Sequence, residues 1–419
     1  MKPPRRLSTT GDKIGWLFSH TLPVPNALVV LHSLFALLCL LASAASAQPG
    51  PALAARAWTL VDATSGVTLA SSATTQRLEP ASLTKLMTAY VVFTALGEKR
   101  TRLDSGVTVS LAAVTAPGRA GARMYIEPAR PVSVDELLHG LLVVSANDAA
   151  VALAEHTSGT TEAFVERMNA EARRLGMLNT RFANPTGLSD AQHYSTAADL
   201  ARLAQRLFTD FPQYAPLYAQ REFTYNRITQ SNRNRLLWSG SHVDGMKTGH
   251  TDGGGWSIVA TASRPQGAGE RAFDRRLIAV VLGAASDSAG SQEALRLLNY
   301  GYAAFDTVRL YRQGDVLVRP AVWKGDRGEI PIGLERDVYV TVPADALRAL
   351  GKAGLQSSLE RQDPLLAPLR KGETVGRLKI TAGVDPVADV PVVALESVGE
   401  AGLVGRAYDA VRLWWRRRN

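Results

Sequence analysis

The sequence predicts a mixed α+β domain with a central antiparallel sheet and a helical lobe, followed by a small all-β sandwich and a C-terminal amphipathic helix. Three observations predict it. Strand-like alternation opens the chain after residue 56 and returns at 256–263 and 277–283, with helical periodicity between. After residue 305 the texture changes to short apolar runs divided by Gly, Pro and Asp, and from Leu403 onward apolar and basic residues sort onto opposite helical faces. With 419 residues, 46% of them hydrophobic, the chain can bury a large core, and its length favours two domains.

Residues 1–47 read as a secretory signal: a basic segment (Lys2, Arg5, Arg6, Lys13) precedes the apolar run 27–47, closed by Ala45-Ser46-Ala47 with cleavage before Gln48. An uncleaved anchor is the alternative. The only cysteine, Cys39, lies in this run, so the mature chain would have none, which excludes disulfides, thiol catalysis and cysteine-bound metal. Of the formal charge of +9, four cations and one acid belong to the leader; the remaining 43 cations and 37 acids leave +6. Arg416 to Arg418 supply three of these cations, so the body is only mildly basic and no nucleic-acid partner is indicated.

Residues 57–63 and 67–70 alternate around Thr64-Ser65-Gly66 and predict a hairpin. A helix is expected over 81–96, free of Pro and Gly and ending at Gly97. Residues 103–130 read as strand and loop. Ser133 and Glu136 form a capping box that starts a buried helix over 134–144, and another follows over 148–156. Helices over 161–175 and 197–208 flank the turn Asn184-Pro185-Thr186-Gly187. A strand-like segment at 243–250 passes through a Gly-rich turn into two buried strands, and a helix over 291–305 closes the unit. In the tail, Leu403, Val404, Tyr408, Val411, Trp414 and Trp415 oppose Arg406, Arg412 and Arg416. That pattern suits a helix lying in an anionic headgroup layer, or one docked on the β domain.

Three motifs carry chemistry. Ser82 and Lys85, at i and i+3, share a helix face and pair a nucleophile with a base, since burial can lower an ammonium pKa and free its lone pair. Ser145-Ala146-Asn147 sits between two helices, either as helix caps or as polar groups facing a cleft. In Lys247-Thr248-Gly249 a cation and a hydroxyl can hold a carboxylate, while glycine lets a ligand backbone approach. Only seven lysines follow the leader, and two of them lie in these motifs.

Ser-x-x-Lys, Ser-x-Asn and Lys-Thr-Gly in this order define an active-site serine acyl transferase. Residues 80–88, 145–150, 184–197 and 244–251 resemble the penicillin-recognising serine enzymes, and most closely the low-molecular-mass D-alanyl-D-alanine carboxypeptidases. The resemblance implies a β-lactamase/transpeptidase-like α/β fold over 48–305, a β-rich domain over 306–396 and a membrane-associating helix over 397–419. It also implies a periplasmic enzyme, peripherally anchored, that trims peptidoglycan stem pentapeptides through a Ser82 acyl-enzyme and is acylated by β-lactams, with no metal or organic cofactor. Lys85 would be the base, Ser145 and Lys247 the proton relay, and Asn147 the holder of the acyl-side amide. The N–H groups of Ser82 and His250 would form the oxyanion hole beside Gly249, and Thr248 with Arg233 would bind the terminal carboxylate. One departure is that residues 284–291 lack the arginine relatives usually carry there, which leaves Arg233, Lys247 and Thr248 as the clamp. A D,D-endopeptidase and a catalytically weak wall-binding scaffold are the alternatives. A β-lactamase fits less well, because Ser145-Ala146-Asn147 lacks an Asp between Ser and Asn.

Overall fold

Alternating apolar residues and a tight turn fold Ala57–Asp62 (β1) and Val67–Ser72 (β2) into the expected hairpin. All six residues of β1 are buried, so this strand lies inside a sheet covered on both faces. The computed structural model describes residues 50–416 except 117, 119, 120, 129 and 351–353, so the leader expected at 1–47 lies outside the described residues. Val243–Thr251 (β3), Gly255–Gln266 (β4) and Phe273–Ala284 (β5) complete an antiparallel sheet of order β2-β1-β5-β4-β3. Consecutive residues of β5 face opposite sides. Leu277, Ala279 and Val281 pack with Leu297 and Leu298 of the helix Asp287–Ala304, while Ile278, Val280 and Leu282 join the core of the helical lobe.

That lobe surrounds α1 (Lys85–Gly97), which is buried from Lys85 through Phe93 and apolar on every side. Ser133 and Glu136 form the predicted capping box at α2 (Val134–Leu142), followed by α3 (Asn147–Ser158), α4 (Thr161–Arg174), α5 (Ala197–Asp210) and α6 (Asp287–Ala304). The helix expected over 81–96 divides: Ala81–Thr84 is a 3-10 turn and the α-helix begins at Lys85. A five-residue helix, Leu111–Thr115, stands where only strand and loop were expected, capped by the Ser110 side chain.

A second core gathers Ile330, Ile332, Val340, Ile380 and Val392. It lies under a sheet of order β7-β8-β12-β11-β10, built from Val316–Val318 (β7), Ile332–Gly333 (β8), Leu355–Arg361 (β10), Thr374–Ala382 (β11) and Asp385–Ala394 (β12). Phe305–Tyr311 (β6) pairs with Val338–Pro343 (β9), and a short helix, Ala344–Leu350 (α7), adds to the all-β pattern expected. The terminal helix Leu403–Arg416 (α8) turns its polar side to this domain. Asp409 accepts from the Lys324 amide, Arg416 pairs with Asp363, and the Arg412 guanidinium lies over Trp323. On its apolar side Leu403, Val404, Tyr408, Val411, Trp414 and Trp415 are exposed. Among the described residues no helix is long and apolar enough to cross a membrane.

One buried carboxylate joins the two cores. Asp62 Oδ2 accepts from Arg275 Nε (2.7 Å) and from Thr307 (2.6 Å) and Thr341 (3.2 Å), while its Oδ1 caps the hairpin turn through the Thr64 and Ser65 amides. Both charges are essentially inaccessible, Arg275 at 1% and Asp62 at 0%. Removing one partner leaves an uncompensated buried ion, so Asp62→Ala should lose about 3–5 kcal/mol in chemical denaturation. Arg377→Ala, which breaks the exposed pair with Asp389, should leave the midpoint nearly unchanged.

Candidate active site

The sequence makes the site by bringing three chain segments to the edge strand β3. The first is the 3-10 turn Ala81–Thr84. With three residues per turn, positions i and i+3 eclipse, which sets Ser82 above Lys85 at the mouth of α1. The Lys85 Nζ lies 3.1 Å from Ser82 Oγ, 2.7 Å from Asn147 Oδ1 and 2.6 Å from the Thr186 carbonyl. The side chain is wholly buried.

Three oxygen atoms surround the amine, and burial, not their number, is what disfavours the ammonium. Asn147 Oδ1 and the Thr186 carbonyl are acceptors, so they take two N–H bonds. A neutral amine would then have one lone pair left, and its remaining hydrogen-bonding neighbour among the described residues is the Ser82 hydroxyl. Burial drives the Lys85 pKa well below the ordinary lysine value, repulsion from Lys247 and then Arg233 adds to it, and Asp148 opposes it. Lys247 is also buried; burial and then Arg233 pull its pKa down to about 7, and its Nζ donates to the Thr248 carbonyl (3.0 Å).

The second segment is the junction between α2 and α3. Neither Ser145 nor Asn147 caps α3 through its side chain: the N-cap is Ala146, and it makes no side-chain cap bond. Asn147 is instead committed to Lys85, so the cleft-facing alternative holds. Ser145 adopts φ +65°, an uncommon conformation for a residue with a side chain, and lines the cleft. Among the described residues no hydrogen bond joins its hydroxyl to Lys85 or Lys247. Next to it the Asp148 carboxylate accepts from the amides of Met124, Tyr125 and Ile126, and the Asn147 amide donates to the Ala122 carbonyl (2.8 Å). The loop 122–126 is thereby fastened along one wall. Burial raises the Asp148 pKa, partly offset by these backbone donors.

The third segment is the turn at 184–188. Asn184 Oδ1 accepts from the amides of Thr186, Gly187 and Leu188, which points the Thr186 carbonyl at Lys85. Gly187 has φ +86°, and a Cβ there would stand 1.9 Å from the Ala81 carbonyl oxygen. Only glycine permits this approach. Gly249 plays the same part on β3, since a Cβ would meet the Ser82 amide nitrogen at 2.9 Å.

Together these segments enclose a cleft of about 820 Å³. Ser82, Ser145, Asn147, Thr248, Gly249, His250 and Arg233 all line it, with Lys85 and Lys247 buried behind them. His250 stacks on Trp256 with ring centroids 4.2 Å apart. Arg233 is exposed between two buried asparagines: Asn232 accepts from the Asn234 amide, and Asn234 Nδ2 donates to the Gly245 carbonyl at the start of β3 (3.0 Å). Sequence reasoning missed Thr186, Asp148, Arg235 and Asp287. The first acts through its backbone and the others only through tertiary placement; the Asn184-Pro185-Thr186-Gly187 turn was the one visible signal among them.

The chain matches a known family. Residues 42–286 match the model described as D-alanyl-D-alanine carboxypeptidase, and residues 305–400 match that of the penicillin-binding protein 5 C-terminal domain. D-alanyl-D-alanine carboxypeptidase DacC of Escherichia coli is 39% identical over 368 residues, covering 87% of this chain and 89% of its own. Penicillin binding protein 5 from Haemophilus influenzae superposes with a TM-score of 0.75 at 35% identity, over 84% of this chain and 99% of that one. Penicillin-Binding Protein D2 from Listeria monocytogenes, solved in an ampicillin-bound form, gives a TM-score of 0.51 at 29% identity, over 61% of this chain and all (100%) of that one. The chain belongs to the D-alanyl-D-alanine carboxypeptidase family and carries that family's penicillin-binding protein 5 type of C-terminal domain.

Proposed function

We propose that the protein is a serine-type D-Ala-D-Ala carboxypeptidase that removes the terminal D-alanine from peptidoglycan stem pentapeptides. The observation that carries the proposal is the wholly buried Lys85 amine, set 3.1 Å from Ser82 Oγ and held by Asn147 Oδ1 and the Thr186 carbonyl. Ser82 Oγ attacks the carbonyl between the two D-alanines as its proton passes to Lys85. The C–N bond then breaks, the departing amine takes a proton relayed through Ser145 and Lys247, and water releases the shortened peptide from Ser82. The N–H groups of Ser82 and His250 receive the oxyanion; each such donor is commonly worth about 3–4 kcal/mol in the transition state.

Asn147 holds the acyl-side amide, and Thr248 with Arg233 holds the terminal carboxylate. Strand β3 ends the sheet, so its outer edge can pair with an extended peptide, and Gly249 admits that peptide's backbone. β-Lactams present an acylating carbonyl beside a carboxylate and would react with Ser82 in the same way. Incubation with a muropeptide ending in D-Ala-D-Ala should release D-alanine, and Ser82→Ala should abolish both release and penicillin adduct. Lys85→Ala should stay folded and acylate roughly 10²–10⁴-fold more slowly. Adduct formation without release, or cleavage of cross-linked dimers alone, would refute the carboxypeptidase assignment.

We also infer that the protein is exported and rests on the outer face of the inner membrane through α8. Support comes from the polar side of α8 being held by Asp409, Arg412 and Arg416 while Leu403, Val404, Val411 and Trp415 on its apolar side are exposed. Paired tryptophans flanked by arginines suit an anionic headgroup layer. Deleting residues 403–419 should abolish sedimentation of the leaderless protein with anionic phospholipid vesicles and leave peptide hydrolysis intact. Undiminished sedimentation would refute the anchor.

A further inference from the structure

A carboxylate ligand needs cations, and the fixed cations of this cleft come from one short stretch. Residues 284–291, which lead into α6, contain no Lys or Arg, and the cleft-lining residue there is an acid, Asp287. Asp252 lines the cleft as well. Against these two acids stand Arg233 and Arg235, on either side of Asn234. With Lys85 and Lys247 driven toward their neutral forms, the arginines carry the positive charge that an entering carboxylate meets.

The placement of Arg235 is not that of an ordinary surface arginine. It begins the 3-10 turn Arg235–Trp238, whose N-cap Asn234 is fully buried and tied both to the Leu236 amide and to the Gly245 carbonyl. The backbone that carries Arg235 is thus fixed to the same strand that carries Lys247 and Thr248. Its Nε lies 3.3 Å from Asp287 Oδ2, which stands at the head of α6. That ion pair occupies one edge of the guanidinium. The other edge, with both Nη atoms, has no hydrogen-bond partner among the described residues, and the side chain is 79% exposed. A planar guanidinium steadied through Nε presents its Nη edge as a fork, the geometry that suits a carboxylate.

We infer that Arg235, steadied by Asp287, is the second arm of a two-arginine clamp on the C-terminal carboxylate of the substrate, acting beside Arg233. The inference rests on the carboxypeptidase reading and deepens it. Arg233 interacts electrostatically with both buried lysines, whereas Arg235 does not figure among the charges that shift either of them. Arg235 therefore adds charge for the ligand without further depressing the base.

The test compares two thioester substrates with the same D-alanyl acyl group. In one the leaving thiol ends in a free carboxylate, and in the other that carboxylate is methylated. The wild type should favour the carboxylate form, and Arg235→Ala should lower the ratio of the two kcat/KM values about tenfold, as expected for one charge-assisted hydrogen-bonded contact of about 1.4 kcal/mol. An unchanged ratio would overturn the inference, as would an equal fall on both substrates, which would mark a structural role. If the wild type hydrolyses neither thioester, the carboxypeptidase reading itself fails, an outcome distinct from an unchanged ratio in an active enzyme.

Discussion

The site depends on one buried amine. An ammonium at Lys85 would have to be taken out of water and would face repulsion from Lys247 and Arg233, opposed among the surrounding charges by Asp148. A neutral amine fits its three oxygen neighbours with every N–H used and the lone pair turned to Ser82. Burial, which would be a liability for an ordinary lysine, is what makes this one a base. Each partner is held in turn. Asn147 starts α3, Thr186 is fixed by Asn184, and Ser82 is pressed between Gly187 and Gly249, where no Cβ could be tolerated. Removing the Asn147 side chain would leave a buried N–H unsatisfied, a loss of about 1–3 kcal/mol before any effect on rate.

The surrounding charges grade the site from its base outward. Lys85 is deepest, Lys247 comes next with a pKa near 7, and the arginines lie at the solvent-exposed lining. Repulsion from Lys247 and Arg233 reinforces burial at Lys85, so Arg233, which would meet a substrate carboxylate, also lowers the pKa of the base. Asp148 has two effects. Its carboxylate gathers three successive amides of the loop beside the cleft, and its charge limits how far the Lys85 pKa falls.

Features set by local periodicity and short motifs were legible in the sequence: the hairpin around Gly66, the capping box at Ser133, the two long strands after Gly254, the amphipathic tail, and the three motifs of the cleft. Features set by tertiary placement were not. The 3-10 turn at Ala81–Thr84 has no periodicity to separate it from the α-helix it leads into, and Leu111–Thr115 is too short to show any. The Asp62 network draws on Arg275, Thr307 and Thr341, each unremarkable in its own segment. Arg235 likewise carried no signal in the sequence, because only the folded chain sets it against Asp287 on the cleft wall.

The neutral base is tested most directly by the pH dependence of Ser82 acylation, followed by intact-mass detection of the benzylpenicillin adduct. Acylation requires Lys85 without its proton, so the rate should be level in mild alkali and fall only as pH drops through the lowered lysine pKa, far below the ~10.4 of a free lysine. A rate still climbing through pH values of about 9–10 would mean an ordinary, protonated lysine, and would contradict the role given to the amine between Ser82, Asn147 and Thr186.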